Sequence, residues 1–421
     1  MTIKFIHTAD VHLDSPLHTL AVRDPEIADI VGMATRQAFV NIIDLCFEEN
    51  VDALLIAGDL YDGELRSMKT AAFLVDQLRR LTSEDIHVFI IKGNHDAESK
   101  ITRHVHWPEG VHVFSGRGES IELDEFDAVI HGLSFAKPHM PESLLPKYKP
   151  AAPDRINIGL LHTSLGGDAA HDVYAPCSIQ NLIDQGYDYW ALGHIHKRSV
   201  NESTACTIVM PGNPQGRSVR EVGPRSVTLV EISDDRSVTV EERSVAVAQF
   251  ERLDVDIAGI DDWGDMVVRF ENVLAECSGA KVANNVIVRL ELLGATPLAS
   301  RLRRDFDVLL EEARSAGKRA GATFIEAVSL SVTTPSLETK SSVADPVSEL
   351  RSLMLDGGFN RNVVDQEVGD LLRQLQKHLP PELRDRFGKV DAEIVTLVDE
   401  YCRQGAEEVL ARLESVEGRT E

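Results

Sequence analysis

The chain has 421 residues, and its 43% of hydrophobic and 26% of charged residues are typical of a globular protein with two or three domains. Its five cysteines are scattered without a C-x-x-C pair, which argues against a structural zinc site and a disulfide framework and favours a reducing compartment. The net charge of −25 counts against a basic DNA-binding surface, although bound divalent cations would reverse the sign of the charge inside a cleft.

The first 110 residues predict strands that alternate with helices. The predicted elements are a strand over 3–6, a helix over 25–50, a strand over 53–57, a helix over 67–81 and a strand over 88–91. This alternation indicates a largely parallel sheet that is covered by helices. Because the first strand carries polar groups and no apolar run is long enough to span a bilayer, we expect no signal peptide, no transmembrane helix and a cytoplasmic location.

After residue 110 the predicted strands are shorter and their apolar residues alternate. They lie at 111–114, 120–123, 128–132, 156–161, 189–192, 227–232 and 238–242. The last two are predicted to form a hairpin around Asp234-Asp235. We interpret residues 1–245 as one domain with two face-to-face sheets and outer helices.

A second unit begins near Phe250 and has the pattern of a small α+β domain. Its predicted elements are a strand over 253–257, a helix over 262–276, a strand over 286–292, a helix over 298–316 and a strand over 324–332. We assign residues 250–335 to this domain, whose size is typical of small domains. A polar linker follows it.

Residues 340–421 predict helices with a break at Pro380-Pro381. Two interpretations fit their apolar spacing. These helices either form a cap that packs on its own chain or form a docking module for a partner helix.

Polar side chains recur where the predicted strands end. They are Asp10, His12, Asp59, Asn94, His95, His162, His194 and His196. Each has a plain structural explanation when taken singly, such as a capped turn, a strand-to-helix turn or a hydrogen-bonded core histidine. Their joint occurrence at five strand ends favours a single cleft, because ligands bind beyond the carboxyl ends of strands in open α/β sheets.

The chemistry of these residues suits a pair of divalent metals. Three carboxylate or amide oxygens and four imidazoles, without a thiolate, fit manganese, iron, zinc or cobalt equally well. A two-metal pair bridged by one carboxylate lowers the pKa of water and clamps a phosphoryl group for in-line attack. One further imidazole off the metal can protonate the leaving oxygen, and His95 lies next to the candidate ligand Asn94.

The order of these motifs resembles that of the calcineurin-like metallophosphoesterases. The matching motifs are Asp10-Val11-His12, Gly58-Asp59, Gly93-Asn94-His95-Asp96, His162 and Gly193-His194-Ile195-His196. The resemblance implies a four-layer α/β/β/α sandwich. Within this superfamily, the stretches Phe5–Pro16 and Gly58–Asp62 are similar to the SbcD-type DNA repair exonuclease family, and most of all to its YhaO-type branch.

This resemblance implies a metal-dependent DNA exonuclease, a phosphodiesterase that uses two metals, in this branch manganese, to activate water. By motif, Asp10, His12, Asp59 and His196 would hold one metal. Asp59, Asn94, His162 and His194 would hold the other, so that Asp59 bridges the pair. His95 would be the catalytic imidazole, and Asp62 and Asp96 would support the ligands from behind.

The family resemblance also implies partners. Residues 1–245 would be the nuclease domain, 250–335 the capping domain, and the C-terminal helices would bind an SMC-like coiled-coil ATPase; a homodimer is a further expectation. The candidate contacts to the DNA backbone are Lys100, Arg103, Lys197, Arg198, Arg217, Arg220 and Arg225. The alternative for these side chains is solvated loop charge.

Two other functions remain open from the sequence. The first is a phosphatase or small-molecule phosphodiesterase on the same scaffold. Protein phosphatases of the superfamily carry an Arg directly after the position of Asp62, where this chain has Gly63. The second is a non-catalytic scaffold, against which the complete set of ligands counts.

Overall fold

The computed structural model describes residues 2–15, 25–62, 68–98, 105–166, 174–279, 282–335, 346–355, 361–378 and 391–417. These fall into two compact units. The first comprises Met1–Arg252, Ala275–Arg289 and Ala320–Glu326, and the second comprises Leu253–Leu274, Leu290–Arg319 and Ala327–Glu421. The predicted fold class is confirmed, because a mixed α/β sandwich is followed by a small α+β segment and a helical C-terminal region. The predicted domain boundaries stay a prediction.

The strands alternate with helices over the first hundred residues and then follow one another closely. In chain order they are β1 Ile3–Thr8, β2 Ala53–Ala57, β3 His87–Ile91, β4 Val111–Val113, β5 Glu119–Leu123, β6 Ala128–Gly132, β7 Ile156–His162, β8 Tyr189–Gly193, β9 Ser199–Glu202, β10 Thr207–Met210, β11 Ser226–Ile232, β12 Val238–Ser244, β13 Ala248–Asp256, β14 Asn285–Ala295 and β15 Thr323–Thr333. The edge strand β9 and the short strand β10 were not predicted from the sequence.

The helices connect these strands and continue beyond them. They are α1 Pro25–Gly32, α2 Ala34–Glu48, α3 Met68–Thr82, α4 Asn94–Glu98, α5 Ile179–Ile183, α6 Trp263–Gly279, α7 Ala299–Arg304, α8 Phe306–Arg319, α9 Pro346–Leu355, α10 Arg361–His378 and α11 Asp391–Glu417. Short 3-10 helices span Asp124–Phe126 and Leu145–Lys147.

Two helices that the sequence predicts as continuous are each divided into two. The predicted helix over 25–50 is interrupted at Met33, directly after Gly32, a residue type that disfavours the helix interior. The predicted helix over 298–316 is interrupted at Asp305, whose backbone leaves the helical region at φ −101° and ψ 36°. The apolar pattern continues across both breaks, so periodicity alone does not reveal them.

Two six-stranded sheets form the first unit. Their strand orders are β12-β11-β1-β2-β3-β4 and β5-β6-β7-β8-β10-β9. In the first sheet β1, β2, β3 and β4 are parallel, and in the second β6, β7, β8 and β10 are parallel. The antiparallel strands lie toward the edges. The parallel strands therefore bring the ends of β1, β2 and β3 to one edge of the first sheet and those of β7 and β8 to one edge of the second.

The two sheets pack face to face around a shared apolar core. Phe5, Leu55 and Phe89 of the first sheet lie in one buried cluster with Ile158 and Leu160 of the second. Because successive strand residues point to opposite faces, the alternate residues face outward and pack against helices. This arrangement gives the four layers that the family resemblance implied.

Helices cover the outer faces of both sheets. Helix α2 buries Phe39 and Ile43, and α3 buries Leu74 and Leu78, in the core on the first sheet, with the i, i+4 spacing of an apolar helix face. On the second sheet, Trp190 packs with Leu182 of α5 and with neighbouring loop residues. A third sheet contains β13, β14 and β15 in that order.

The C-terminal helices pack on their own chain but leave apolar side chains exposed. Helix α11 packs against α7, α9 and α10, and Arg303 of α7 forms an ion pair with Glu407 of α11. Leu372 is buried between α10 and α11, whereas Leu371 and Leu375 are 60% and 51% exposed. The predicted break at Pro380-Pro381 lies outside the described residues. No helix in the described ranges has the length and apolar character needed to cross a membrane.

We predict that Leu160→Ala destabilises the protein by about 2–5 kcal/mol, because it empties a fully buried position between the two sheets. Val200→Ala is the control, since Val200 lies on the exposed edge strand β9 and its loss should change stability by no more than about 0.5 kcal/mol. Urea unfolding followed by tryptophan fluorescence measures both. Equal midpoints for the two variants would contradict the assigned core.

Candidate metal centre

The loops that follow β1 and β2 are bonded to each other through their backbones. The N–H of Asp10 donates to the carbonyl of Gly58, and the N–H of His12 donates to the carbonyl of Asp59, both at 3.0 Å. Asp10, His12 and Asp59 have φ angles of 53°, 45° and 51°, which non-glycine residues rarely adopt. Such strained backbone persists only where its surroundings hold it, and it clusters at functional sites.

Asp10, His12 and His196 form a first group of metal donors, whose ligand atoms lie within 4.8 Å of one another. The Nε2 atoms of His12 and His196 are 3.2 Å apart, and the buried Nδ1 atom of His12 has no hydrogen-bond partner in the part of the chain that the structure describes. Two imidazole nitrogens that face each other at this distance need a cation or a proton between them. The group therefore has the donor chemistry that a divalent metal requires, and metal binding by these residues stays a prediction.

Asp59, His162 and His194 form a second group whose ligand atoms also lie within 4.8 Å of one another. The Nε2 atom of His162 is 3.3 Å from Asp59 Oδ2 and 3.1 Å from Asn94 Oδ1, so the predicted amide ligand joins this group. The Nδ1–H of His162 donates to the Ala57 carbonyl at 2.9 Å, which leaves Nε2 as the free ligand atom.

The ionisation of the buried groups depends on their mutual proximity. Burial lowers the pKa of His162. The neighbouring carboxylates, above all that of Asp59, together outweigh this effect and raise the pKa to about 9. Burial raises the pKa of Asp59, but the neighbouring His162, through its charge and its hydrogen bond, overcomes this effect and holds the pKa well below its usual range. Burial raises the pKa of Asp10. A bound divalent ion would take the place of these shared protons, since ligands must be deprotonated to bind metal.

A third group brings His95 close to Asp62. Together with His12 their donor atoms lie within 4.8 Å, and Nδ1 of His95 is 3.4 Å from Oδ1 of Asp62. The hydroxyl of Ser15 donates to Asp62 Oδ2 at 2.7 Å. The side chain of His95 is 39% exposed, in contrast to the buried rings of His12 and His162. His95 is therefore accessible to a substrate while Asp62 orients it from behind.

Asp96 is a buried anchor of the loops. Its Oδ2 accepts the backbone N–H groups of Leu60 at 3.2 Å and Gly93 at 3.1 Å, and its Oδ1 accepts that of Tyr61 at 3.0 Å. Burial raises the pKa of Asp96 to about 6. The carboxylate thus joins the loop that carries Asp59 to the loop that carries Asn94 and His95.

Glycine is required where the loops approach most closely. A Cβ atom at Gly93 would lie 2.3 Å from Oδ1 of Asp59 and 2.8 Å from Nε2 of His162. A Cβ atom at Gly193 would lie 2.1 Å from the carbonyl of Ala57. No side chain fits at these distances. Glycine at both positions therefore lets the loops approach closely enough for the donor atoms to lie near one another.

Glu221 supports the first group, and sequence reasoning missed it. The Nδ1–H of His196 donates to Oε1 of Glu221 at 2.6 Å, which directs Nε2 of His196 toward His12. Burial raises the pKa of Glu221, but the bonds from His196 and the charge of Arg217 outweigh this and lower it to about 2. A carboxylate behind a metal-binding histidine is a common supporting arrangement. The signal available in the sequence is that Glu221 is the single acidic residue of the Gly/Pro-rich segment 211–225.

Of the predicted DNA backbone contacts, the structure brings Arg217 to the donor groups. Its side chain lies 3.8 Å from Asp62 and 3.6 Å from Glu221. Lys197 and Arg220 are exposed, Arg198 donates to the hydroxyl of Thr228, and Arg225 donates to the His196 carbonyl. Lys100 and Arg103 lie outside the described residues.

Two family models match the chain. A calcineurin-like phosphoesterase model matches residues 3–198, and a model of the middle domain of the metallophosphoesterase YhaO matches residues 250–333. The uncharacterized metallophosphoesterase YhaO of Bacillus subtilis (strain 168) is 33% identical over 300 residues, which cover 70% of this chain and 72% of that protein.

More distant relatives and solved structures are also similar. The DNA double-strand break repair protein Mre11 of Archaeoglobus fulgidus is 28% identical over 240 residues, 52% of each chain. This chain therefore spans about half the length of that relative. A dimetal phosphatase from Danio rerio is 12% identical in sequence, with a TM-score of 0.35 over 58% of this chain and 96% of that one.

We predict that Gly93→Ala weakens the binding of Mn²⁺ by about tenfold or more, because the added methyl group displaces Asp59 and His162 from their positions. Gly32→Ala is the matched control, since a Cβ atom there meets nothing within 4 Å. Isothermal titration of both purified variants with Mn²⁺ measures the effect. Binding by Gly93→Ala with wild-type affinity would contradict the described geometry.

Proposed function

The chain belongs to the calcineurin-like metallophosphoesterases, and from this premise we propose that it is a metal-dependent DNA phosphodiesterase acting as an exonuclease in DNA repair. The observation that carries the proposal is the pairing of two oxygen-and-imidazole donor groups with an accessible histidine beside them. DNA as the substrate is supported by the SbcD-type motif around Asp10 and by the similarity to the DNA double-strand break repair protein Mre11 over 240 residues.

In this proposal each of the two donor groups would hold one divalent ion, with Mn²⁺ as the proposed metal. Asp10, His12 and His196 would hold one ion, Asn94, His162 and His194 would hold the other, and Asp59 would contribute to both. When bound, the ions would supply water of lowered pKa and would stabilise the charge on the phosphoryl oxygens. The oxygen and nitrogen donors, with no cysteine in any group among the described residues, suit such ions.

His95 protonates the leaving oxygen in the proposed reaction. Burial lowers the pKa of His95, but its bond to Asp62 and the charge of Asp59 outweigh this and raise that pKa above its usual value. The imidazolium is therefore retained to higher pH and can donate a proton to the departing 3′ or 5′ oxygen. Asp62 orients the ring, and Ser15 holds Asp62.

The helical C-terminal region is the proposed docking site of an SMC-like coiled-coil ATPase. Helices α10 and α11 bury Leu372, Ile394 and Val398 against each other. They leave apolar side chains such as Leu371 and Leu375 exposed. Exposed apolar residues at helical spacing suit an amphipathic partner helix. The homodimer stays a prediction.

We predict that His95→Ala lowers the rate of Mn²⁺-dependent degradation of linear DNA by about 10²–10⁴-fold while Mn²⁺ binding is retained. Asp59→Asn should abolish both degradation and Mn²⁺ binding at one or both positions, because it removes the shared carboxylate. His87→Ala is the control, since His87 pairs with Glu125 at the start of β3, at the opposite end of the strand from His95. Wild-type protein that cleaves phosphomonoesters but no DNA would contradict the nuclease proposal.

We further predict that Leu371→Glu combined with Leu375→Glu abolishes capture of a coiled-coil ATPase in a pull-down, because two charges would be placed on the proposed docking face. Val308→Glu, at a position of similar exposure on α8, controls for the added charge. Unchanged capture by the double variant would refute the docking proposal.

A further inference from the structure

Glu221 connects a metal ligand to an arginine through both of its carboxylate oxygens. Its Oε1 accepts the Nδ1–H of His196 at 2.6 Å, and its Oε2 accepts the backbone N–H of Arg217 at 2.7 Å and the side-chain amide of Asn213 at 3.1 Å. One carboxylate therefore sets the position of His196 and of the loop that carries Arg217.

This loop has further anchors that hold it in place. Gln215 donates to the Ala248 carbonyl at 2.7 Å and accepts the N–H of Val247 at 2.9 Å, and Arg225 donates to the His196 carbonyl at 2.6 Å. The backbone of Arg217 is thus attached on both sides. The Arg217 side chain is therefore attached to a backbone that hydrogen bonds hold in place, as in pre-organised binding sites.

The guanidinium of Arg217 does not form the short, bidentate ion pair that Arg289 of this chain forms. Arg289 forms two bonds of 2.8 Å with Glu326, the short bidentate geometry of a satisfied ion pair. Among the described residues, the Arg217 guanidinium lies 3.4 Å from an oxygen of Ser15, 3.6 Å from one of Glu221 and 3.8 Å from one of Asp62, and its buried Nε has no hydrogen-bond partner.

Arg217 also faces the reacting side of the site. Its Nη1 atom lies 3.8 Å from Oδ2 of Asp62, and the Nδ1 atom of His95 lies 3.4 Å from Oδ1 of the same carboxylate. A cation with unused planar donors, next to the group proposed to protonate the leaving oxygen, is suited to a phosphate oxyanion.

We propose that Arg217 binds a non-bridging oxygen of the substrate phosphate and that Glu221 is the positioning residue that holds Arg217 and His196 in one arrangement. The assignment deepens the proposed function and rests on it for the identity of the substrate as a phosphodiester. The ligand class, a phosphate oxyanion, follows from the guanidinium and its surroundings.

The test compares Arg217→Ala, Arg217→Lys and Glu221→Gln in the full chain. Isothermal titration measures Mn²⁺ binding first and the binding of inorganic phosphate to the Mn²⁺-loaded protein second. Arg155→Ala is the matched arginine control, because Arg155 also lies between two carboxylates but precedes β7, about 20 Å along the strand from His162. Glu125→Gln is the matched control for a Glu–His pair, since Glu125 lies 2.8 Å from His87.

Arg217→Ala should bind Mn²⁺ like the wild type but bind phosphate roughly ten- to a hundredfold more weakly. Arg217→Lys should recover part of this loss, because an ammonium group keeps the charge but not the planar pair of donors. Glu221→Gln should weaken Mn²⁺ binding roughly ten- to a hundredfold and weaken phosphate binding as well. Both control variants should match the wild type.

Wild-type affinity for phosphate in Arg217→Ala would overturn the assignment, as would unchanged Mn²⁺ and phosphate binding in Glu221→Gln. Failure of the proposed function gives a different result. If the wild type binds phosphate through Arg217 and hydrolyses bis(p-nitrophenyl) phosphate but leaves DNA intact, the DNA substrate is refuted while the assignment of Arg217 is supported.

Discussion

The geometry of the site depends on one buried carboxylate that binds no proposed metal. Asp96 accepts N–H groups from Leu60, Tyr61 and Gly93, and so joins the loops that follow β2 and β3. A positive φ in an aspartate persists only where its surroundings hold it, and Asp96 is one of the groups that hold the turn at Asp59. Together with the bond from the N–H of His95 to Oδ1 of Asp59, the hydrogen bonds to Asp96 fix the loops that carry Asp59, Asn94 and His95.

The two sheets place these loops where they can meet. Parallel strands end at the same edge, so the residues that follow β1, β2 and β3 are neighbours in space although they are far apart in sequence. The apolar core between the sheets brings the ends of β7 and β8 to the same place. Burial then makes unpaired charges costly, so that the carboxylates and imidazoles share protons or a divalent ion.

Much of the site could be predicted from the sequence because its ligands lie at strand ends. A buried strand and the polar residue after it are both visible in a local window, as for Asp10 and Asp59. Glu221 was not predicted, and Arg217 was predicted only as a candidate contact to the DNA backbone. Both lie on an irregular loop, and their partners are distant in sequence: Glu221 is 25 residues from His196 and Arg217 is 202 from Ser15. Contacts of this type come from tertiary packing, and no local periodicity encodes them.

The central claim is that the chain holds two divalent ions in adjacent donor groups that share Asp59. A titration of the full chain with Mn²⁺, followed by electron paramagnetic resonance, tests it most directly. The account predicts two ions per chain with an exchange-coupled spectrum, since ions that share a carboxylate would lie about 3.5–4 Å apart. A single ion per chain, or two ions with uncoupled spectra, would contradict it.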